Sequence, residues 1–408
     1  MGGSHTHHGH GHDHASEVPV SSLARLALLL VLGVTGVLTV WGLVALWPHS
    51  DPHPSQAAAA FAAPGVTFPH SDVIKTEPAC ANPDQGSGSG TARCGQVTVK
   101  VSAGSQAGKV VTIPVAPEVS NSGLRRGDRV ELLRTPAAPG QPATYAFFSV
   151  DRSTPIWWLV GLFVSVVALV ARLRGLLSLV GLGFGALVLV KFMLPALLTG
   201  ESGLAVALVG SAAIMYVVLY LAHGVSLRTS AALAGTLVGI GITAAIGLTA
   251  VHSQRLSGVG DESGSLLTSL IGHVSFQGLL TCALIIAGLG VLNDVTITQA
   301  SSVWELRAAS PAMPHRQLFT SAMRIGRDHI ASTIYTIVFA YAGTALTVLL
   351  LLFVYDRPLI ELLSTEDIAE EVSRTLSSAI GLVLAVPVTT AIATATVAPR
   401  RSRGRRSR

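Results

Sequence analysis

The chain is 408 residues long; half of its residues are hydrophobic, only 12% are charged, and the formal net charge is +5. A soluble domain carries roughly a quarter charged residues, so this composition, with a mean hydropathy of +0.58, excludes an ordinary water-soluble protein. The excess of arginine falls in loops and at the C-terminus, where it reads as a topology signal, and no nucleic-acid partner is expected.

The first 22 residues contain SHTHHGHGHDH, with His5, His7, His8, His10, His12 and His14 in close succession. Such a tract has no apolar periodicity and is expected to form a disordered head. Neutral imidazoles ligate zinc, nickel or copper, so these six histidines make a weak metal-binding tail, a capacity that assigns no metal function by itself. Leu23–Trp47 follows as a long apolar run. It exceeds the 7–15 residues of a secretory h-region and is preceded only by a weak positive region at Arg25, so it reads as an uncleaved signal anchor.

Residues 48–91 are rich in Pro, Ala, Gly and Ser and read as a flexible linker. After them QVTVKV (96–101), KVVTIPV (109–115), RVELLR (129–134) and TYAFFSV (144–150) alternate apolar with polar residues or are β-branched, separated by turn material. The expectation for 92–154 is a small all-β domain, a barrel or sandwich. It has no His and no clustered carboxylates, so it reads as a folded cap or a partner-binding module. Cys80 and Cys94 fall nearby, in a segment expected to be extracytoplasmic, where a disulfide can persist; they are the disulfide candidates, while Cys282 reads as apolar packing.

About 20 apolar residues span a hydrocarbon core, and seven more stretches of that kind follow: Pro155–Ala171, Leu176–Leu198, Gly203–Ala222, Thr229–Val251, His273–Asn293, Ile330–Val354 and Thr375–Ala398. With the anchor this gives an α-helical integral membrane protein of about eight transmembrane helices: one anchor, an external β domain, a seven-helix membrane domain over 155–398 and a basic tail over 399–408. With the N-terminus inside, fourteen arginines fall on the cytoplasmic side and three on the short outer loops. The positive-inside rule then makes both termini cytoplasmic, with cell-membrane localisation and the lipid bilayer as the first partner.

The stretch GVLNDVTITQASSVWELRAA (290–309) breaks the apolar pattern where the sixth span is expected to end. On a continuous helix Asp294, Thr298, Ser301 and Glu305 recur at i, i+4, i+7 and i+11 and share one face; Asn293, Thr296 and Gln299 flank it. A second cluster, RIGRDHIASTIYT (324–336), opens the seventh span. There Asp328, Ser332 and Tyr335 form one stripe and His329, Thr333 and Thr336 the next. Facing each other, these carboxylates, the histidine and the hydroxyls make an oxygen-rich site for a cation, a proton or a small solute. Ionisable groups at membrane depth are costly and usually line a bundle interior or a water-filled cavity. The competing account is a salt bridge that neutralises Asp294 or Asp328 with Arg324 or Arg327.

Smaller features have plainer readings. Tyr216, Tyr220 and His223 share a face and read as packing with an interfacial His. Lys191, just before Pro195, is expected to snorkel outward. Thr389 and Thr390 are placed to bond carbonyls freed by Pro387. Glu371 and Arg374 form an i, i+3 pair, and Ile368, Val372 and Leu376 suggest an amphipathic helix feeding the last span.

The runs GLGVLNDVTITQASSVWELR, RIGRDHIASTIYT and RTLSSAIGLVLAVPVTT together resemble the YibE/F family of bacterial multipass membrane proteins, from the β domain through the eighth span. ND-x-T-x-TQ and GRDHI are the most specific elements, and the histidine head resembles actinobacterial versions. The resemblance implies a membrane location and assigns no activity. The GxGD signature of intramembrane aspartyl proteases is replaced by GLGVLND, and HExxH, a serine elbow and a nucleotide-binding loop are all missing. No enzyme and no cofactor are expected. Two functions remain: a permease-like transporter, and a scaffold or accessory subunit whose β domain binds a protein partner.

Overall fold

The computed structural model describes residues 18–48, 65–78, 95–104, 106–136, 143–260, 262–271, 274–354 and 358–398. The histidine tract, Cys80, Cys94 and the arginine tail lie outside them. The chain divides into two compact units, 54–170 in one, 1–53 with 171–408 in the other.

The smaller unit is a five-stranded antiparallel sheet of order β3-β2-β1-β4-β5. Its strands are β1 (His70–Glu77), β2 (Gln96–Val101), β3 (Val110–Pro114), β4 (Arg129–Thr135) and β5 (Thr144–Val150). Alternation drives it: Val97, Val99 and Val101 on β2, Val130 and Leu132 on β4, with Val73 and Ile113, form a core in which each is almost fully buried. Four strands match the expected segments. The central strand does not, because 70–77 fall in what reads as linker. HSDVIKTE has one adjacent apolar pair, Val73–Ile74, and its register shifts between Val73 and Lys75, so two-residue periodicity never develops. The correction also brings His70 and Asp72 into a domain read as lacking histidine. At its far end, Asp151 accepts from the Ser153 N–H at 2.9 Å. Hydrogen bonds from Ser153 hold that carboxyl below the usual carboxylate range.

Ser153 opens α3 (Ser153–Val188), following α1 (Ser22–Ala45) and the short α2 (Pro117–Ser120). A π-turn over Leu189–Met193 and α4 (Leu194–Leu198) continue it. Pro195 has no N–H to offer the Lys191 carbonyl, and a π-turn absorbs that loss; Lys191 is exposed, as a snorkelling side chain would be. The 46 residues of Ser153–Leu198 would reach about 69 Å at a 1.5 Å rise per residue, twice a hydrocarbon core of about 30 Å. The helix is broken at Arg172 (φ 54, ψ −141), between the second and third expected spans.

The remaining helices are α5 (Gly203–His223), α6 (Leu227–Ser253), α7 (Glu262–Leu270), α8 (Phe276–Ala287), α9 (Leu289–Ala309), α10 (His315–Thr344), α11 (Leu346–Val354), α12 (Leu359–Leu362) and α13 (Glu366–Thr396). Ser226 and Ser275 cap α6 and α8 through side-chain bonds to the N–H groups of Thr229 and Gly278, each at 3.1 Å, satisfying donors that lipid cannot. Among the described residues six helices are long and apolar enough to cross a membrane, so the molecule is a helical membrane protein. The expected count of eight differs at Ser153–Leu198, which counts once despite the break at Arg172, and at the charged α10 with the nine-residue α11.

The centre of the helical unit is an antiparallel seam between α6 and α13. Gly235, Gly239 and Thr243 stand opposite Thr389, Ala385 and Gly381. A Cβ on Gly235 would collide with Thr389 Oγ1, and one on Gly381 with Thr243 Oγ1. Small residues at every fourth position let two backbones approach where lipid supplies no hydrophobic drive. Tyr216 ties α1 to α5, its hydroxyl within 2.6 Å of the Leu32 carbonyl and of Thr35 Oγ1. Tyr220 reaches Ser230 Oγ at 2.9 Å. The two ends of this unit meet: Val20 bridges Val397, with Ser21 N–H donating to the Thr396 carbonyl at 3.0 Å.

Candidate functional site

The helix expected to end at Asn293 turns at Gly288 and then runs on to Ala309. Its polar residues therefore lie inside the bundle's thickness. Gly247 packs on Leu284, Gly239 on Leu292, and Thr236 Oγ1 lies 2.6 Å from Thr296 Oγ1. Residues 292–296 thus stand level with the middle of α6, roughly 16 Å from its N-terminus at about 1.5 Å per residue.

The face that enters the core is Leu292, Thr296, Gln299 and Val303, all buried. Gln299 joins three helices. Its Nε2 donates to the Ala322 carbonyl of α10 at 2.9 Å and to Thr390 Oγ1 of α13 at 2.7 Å. The Thr390 hydroxyl in turn donates to the Val386 carbonyl at 2.7 Å. Gly326 makes room, since a Cβ there would stand 2.9 Å from Gln299 Oε1 and 2.8 Å from Val386 Cγ1. The three segments that carry the family resemblance thus meet at one buried amide. Thr390 does not bond the carbonyl that Pro387 frees, that of Val383: a threonine reaches four residues back, which from 390 is Val386.

The expected stripe faces the other way. Asp294 and Glu305 are exposed, while Thr298 and Ser301 are half-buried. On α10, Asp328 and Ser332 are exposed, Thr333 is buried and His329 is half-buried. One pair does form across the two stripes: His329 Nε2 lies 3.7 Å from Asp294 Oδ2, an electrostatic contact too long for a hydrogen bond. Among the described residues Asp328, Arg324 and Arg327 form no ion pair, so the partner of Asp294 is a histidine in place of the expected arginine. His223, at the end of α5, lies within electrostatic reach of Asp294, Arg228 and Arg174. Beside the pair, Asn293 Oδ1 is buried without a hydrogen-bond partner. Asp294 itself is 67% exposed at its side chain.

Two arrangements escaped sequence reasoning. Arg307 is fully buried and closes the turn after α9 by donating to the Pro311 and Met313 carbonyls; the apolar neighbour Val303, one turn earlier, is the signal that 307 faces inward. In the sheet unit a cavity of about 260 Å³ is lined by His70, Gln106, Arg134 and Tyr145 among others, with the Tyr145 hydroxyl donating to Gln106 Oε1 at 3.2 Å. Cys282 is buried and free, as apolar packing requires. Glu371 and Arg374 form their pair at 2.7 Å, whereas of the expected amphipathic stripe only Ile368 is buried and Val372 and Leu376 turn outward.

Among the described residues no group of three or more His, Cys, Asp or Glu is arranged to hold a metal ion. Comparison with known proteins gives one family. The model of the YibE/F-like protein family matches residues 159–399, so it begins in α3 and leaves out the sheet that the sequence resemblance was read to include. No curated protein and no solved structure matches the chain. The match covers more than half of the sequence and contains Gln299, Gly326, Thr390, Asp294 and His329: the chain belongs to the YibE/F-like family.

Proposed function

We propose that this protein is a permease-like carrier that takes a cation, a proton or a small solute at the Asp294–His329 pair, and that it is not an enzyme. One observation carries the reading: a carboxylate stands at mid-depth of the helical bundle, 3.7 Å from an imidazole, where only a polar pathway repays its cost. In this reading the chain crosses the cell membrane eight times. Ser153–Leu198 makes two crossings broken at Arg172, α10 with α11 makes another, both termini are cytoplasmic, and the sheet unit is an extracytoplasmic β domain. The arginine distribution supports that orientation.

Reconstituted vesicles test it. Flux of protons, sodium, magnesium and zinc is compared for wild type, Asp294→Asn, His329→Gln and Asp328→Asn, all with the six N-terminal histidines replaced by serine. Flux of one of these ions is expected to vanish in the first two variants and to persist in the third, whose carboxylate has no ion pair among the described residues. Equal flux in all four sinks the assignment. A second reading, a scaffold with a partner-binding β domain, is favoured by the sheet cavity, where Arg134 Nε is buried without a partner. A protein retained by wild type and lost with Arg134→Ala supports it.

A further inference from the structure

Two cavities lie between α10 and α13, on the side of the bundle away from the Val20–Val397 bridge, and they share one residue. The outer, about 340 Å³, is lined by Thr344, Asp367, Glu370, Glu371, Arg374 and Tyr341, among others. The inner, about 230 Å³, is lined by Gly288, Val291, Thr336, Ile337, Ser378 and again Tyr341, with two alanines. We propose that these cavities form the access route of a small cation to the Asp294–His329 pair, entered from the end opposite the bridge, with the Tyr341 side chain as the constriction between them.

Four observations carry this. Among the described residues the mouth is lined by Asp367, Glu370 and the Glu371–Arg374 pair, and a cleft in which carboxylates outnumber cationic side chains concentrates cations. Ser378, 3% exposed, lines the inner cavity and has the Tyr341 hydroxyl as its side-chain partner, so these two side chains meet at the constriction. Gly288 lines the inner cavity without a side chain, and a Cβ there would stand 3.2 Å from Ser378 Oγ. Below it, Thr336, Thr333 and His329 continue on adjacent turns of α10, and Val291 precedes Asp294 by three residues on α9. The helix turn at Gly288, which interrupts α8 and α9, thus opens where the route bends toward the pair.

This route rests on the transport reading, but its test does not. Cys80, Cys94 and Cys282 are replaced by alanine in the full-length protein. Single cysteines are then introduced as Thr344→Cys in the outer cavity, Ser378→Cys in the inner one, and Leu350→Cys as an outward-facing control, 62% exposed. Cationic and anionic methanethiosulfonate reagents are applied from each face of sealed vesicles. Thr344→Cys is expected to react from the face opposite the termini, about tenfold faster with the cationic reagent. Ser378→Cys is expected to stay protected with Tyr341 or Tyr341→Phe in place and to react with Tyr341→Ala. Equal rates for both reagents at Thr344→Cys overturn the cation assignment. Protection of Ser378→Cys in the Tyr341→Ala background, at the level of Leu350→Cys, overturns the route. If labelling follows the expected pattern while Asp294→Asn transports normally, the route stands and the carrier role of Asp294 falls.

Discussion

Helix α13 has two unlike seams. Against α6 it meets glycine and threonine so closely that single Cβ atoms have no room at Gly235 and Gly381. Against α10 it lines two cavities, about 340 and 230 Å³ in volume. One helix is therefore held rigidly along one edge and left open along the other. Close packing of small residues fixes position, and the open edge collects the carboxylates and hydroxyls that a packed seam cannot take. Chemistry is to be sought where the packing relaxes.

The contrast can be broken most severely at the tight seam. Gly235→Leu drives a side chain into Thr389, and overpacking of this kind costs about 3 kcal/mol; the purified protein is expected to lose its cooperative thermal transition or aggregate on size exclusion. Gly241→Leu is the matched control, since nothing lies within 4 Å of a Cβ there, and its transition should be unchanged. A collapse of both would deny the seam its special status. Next comes the Gln299 junction. Gln299→Leu and Thr390→Val each remove one side of a buried bond, and a double-mutant cycle in denaturant should return a coupling of about 1 kcal/mol, within the range of measured membrane hydrogen bonds. Zero coupling would make the junction steric only. The smallest change is Tyr216→Phe, which deletes the hydroxyl joining α1 to α5. A loss of about 0.5–1 kcal/mol should appear as a lower melting temperature with flux intact.

Strong periodicity makes an element legible in the sequence. β2, whose valines alternate without interruption, matches its predicted bounds, whereas β1 with its bulge and charged residues was invisible. The polar helix shows a subtler limit. Its stripe at i, i+4, i+7 and i+11 is real, yet an equal spacing starting two residues earlier, Leu292, Thr296, Gln299 and Val303, faces the core. The apolar residues at both ends of that second stripe mark the buried face; polarity drew attention to the wrong one. The boundary at Asn293 failed for a related reason. Hydropathy measures what lipid will accept, and residues 293–309 are accepted by other helices instead. No local signal reports a partner such as Thr390, 91 residues away.

That distance has a consequence for how the molecule is made. α13 follows the other described helices in sequence, yet it fills the groove of α6 and completes the contacts of Gln299. While a ribosome is still producing residues 300–380, the glycine face of α6 and the amide of α9 have no permanent neighbours. Assembly of the central packing must wait for the C-terminal segment, and long-range contacts of this kind form slowly. A chain that stops before residue 366 would present the membrane with an open, polar-edged bundle, the kind of unfinished surface that chaperones hold and proteases remove. The arrival of α13 is therefore the point at which the cell can tell a closed bundle from an open one.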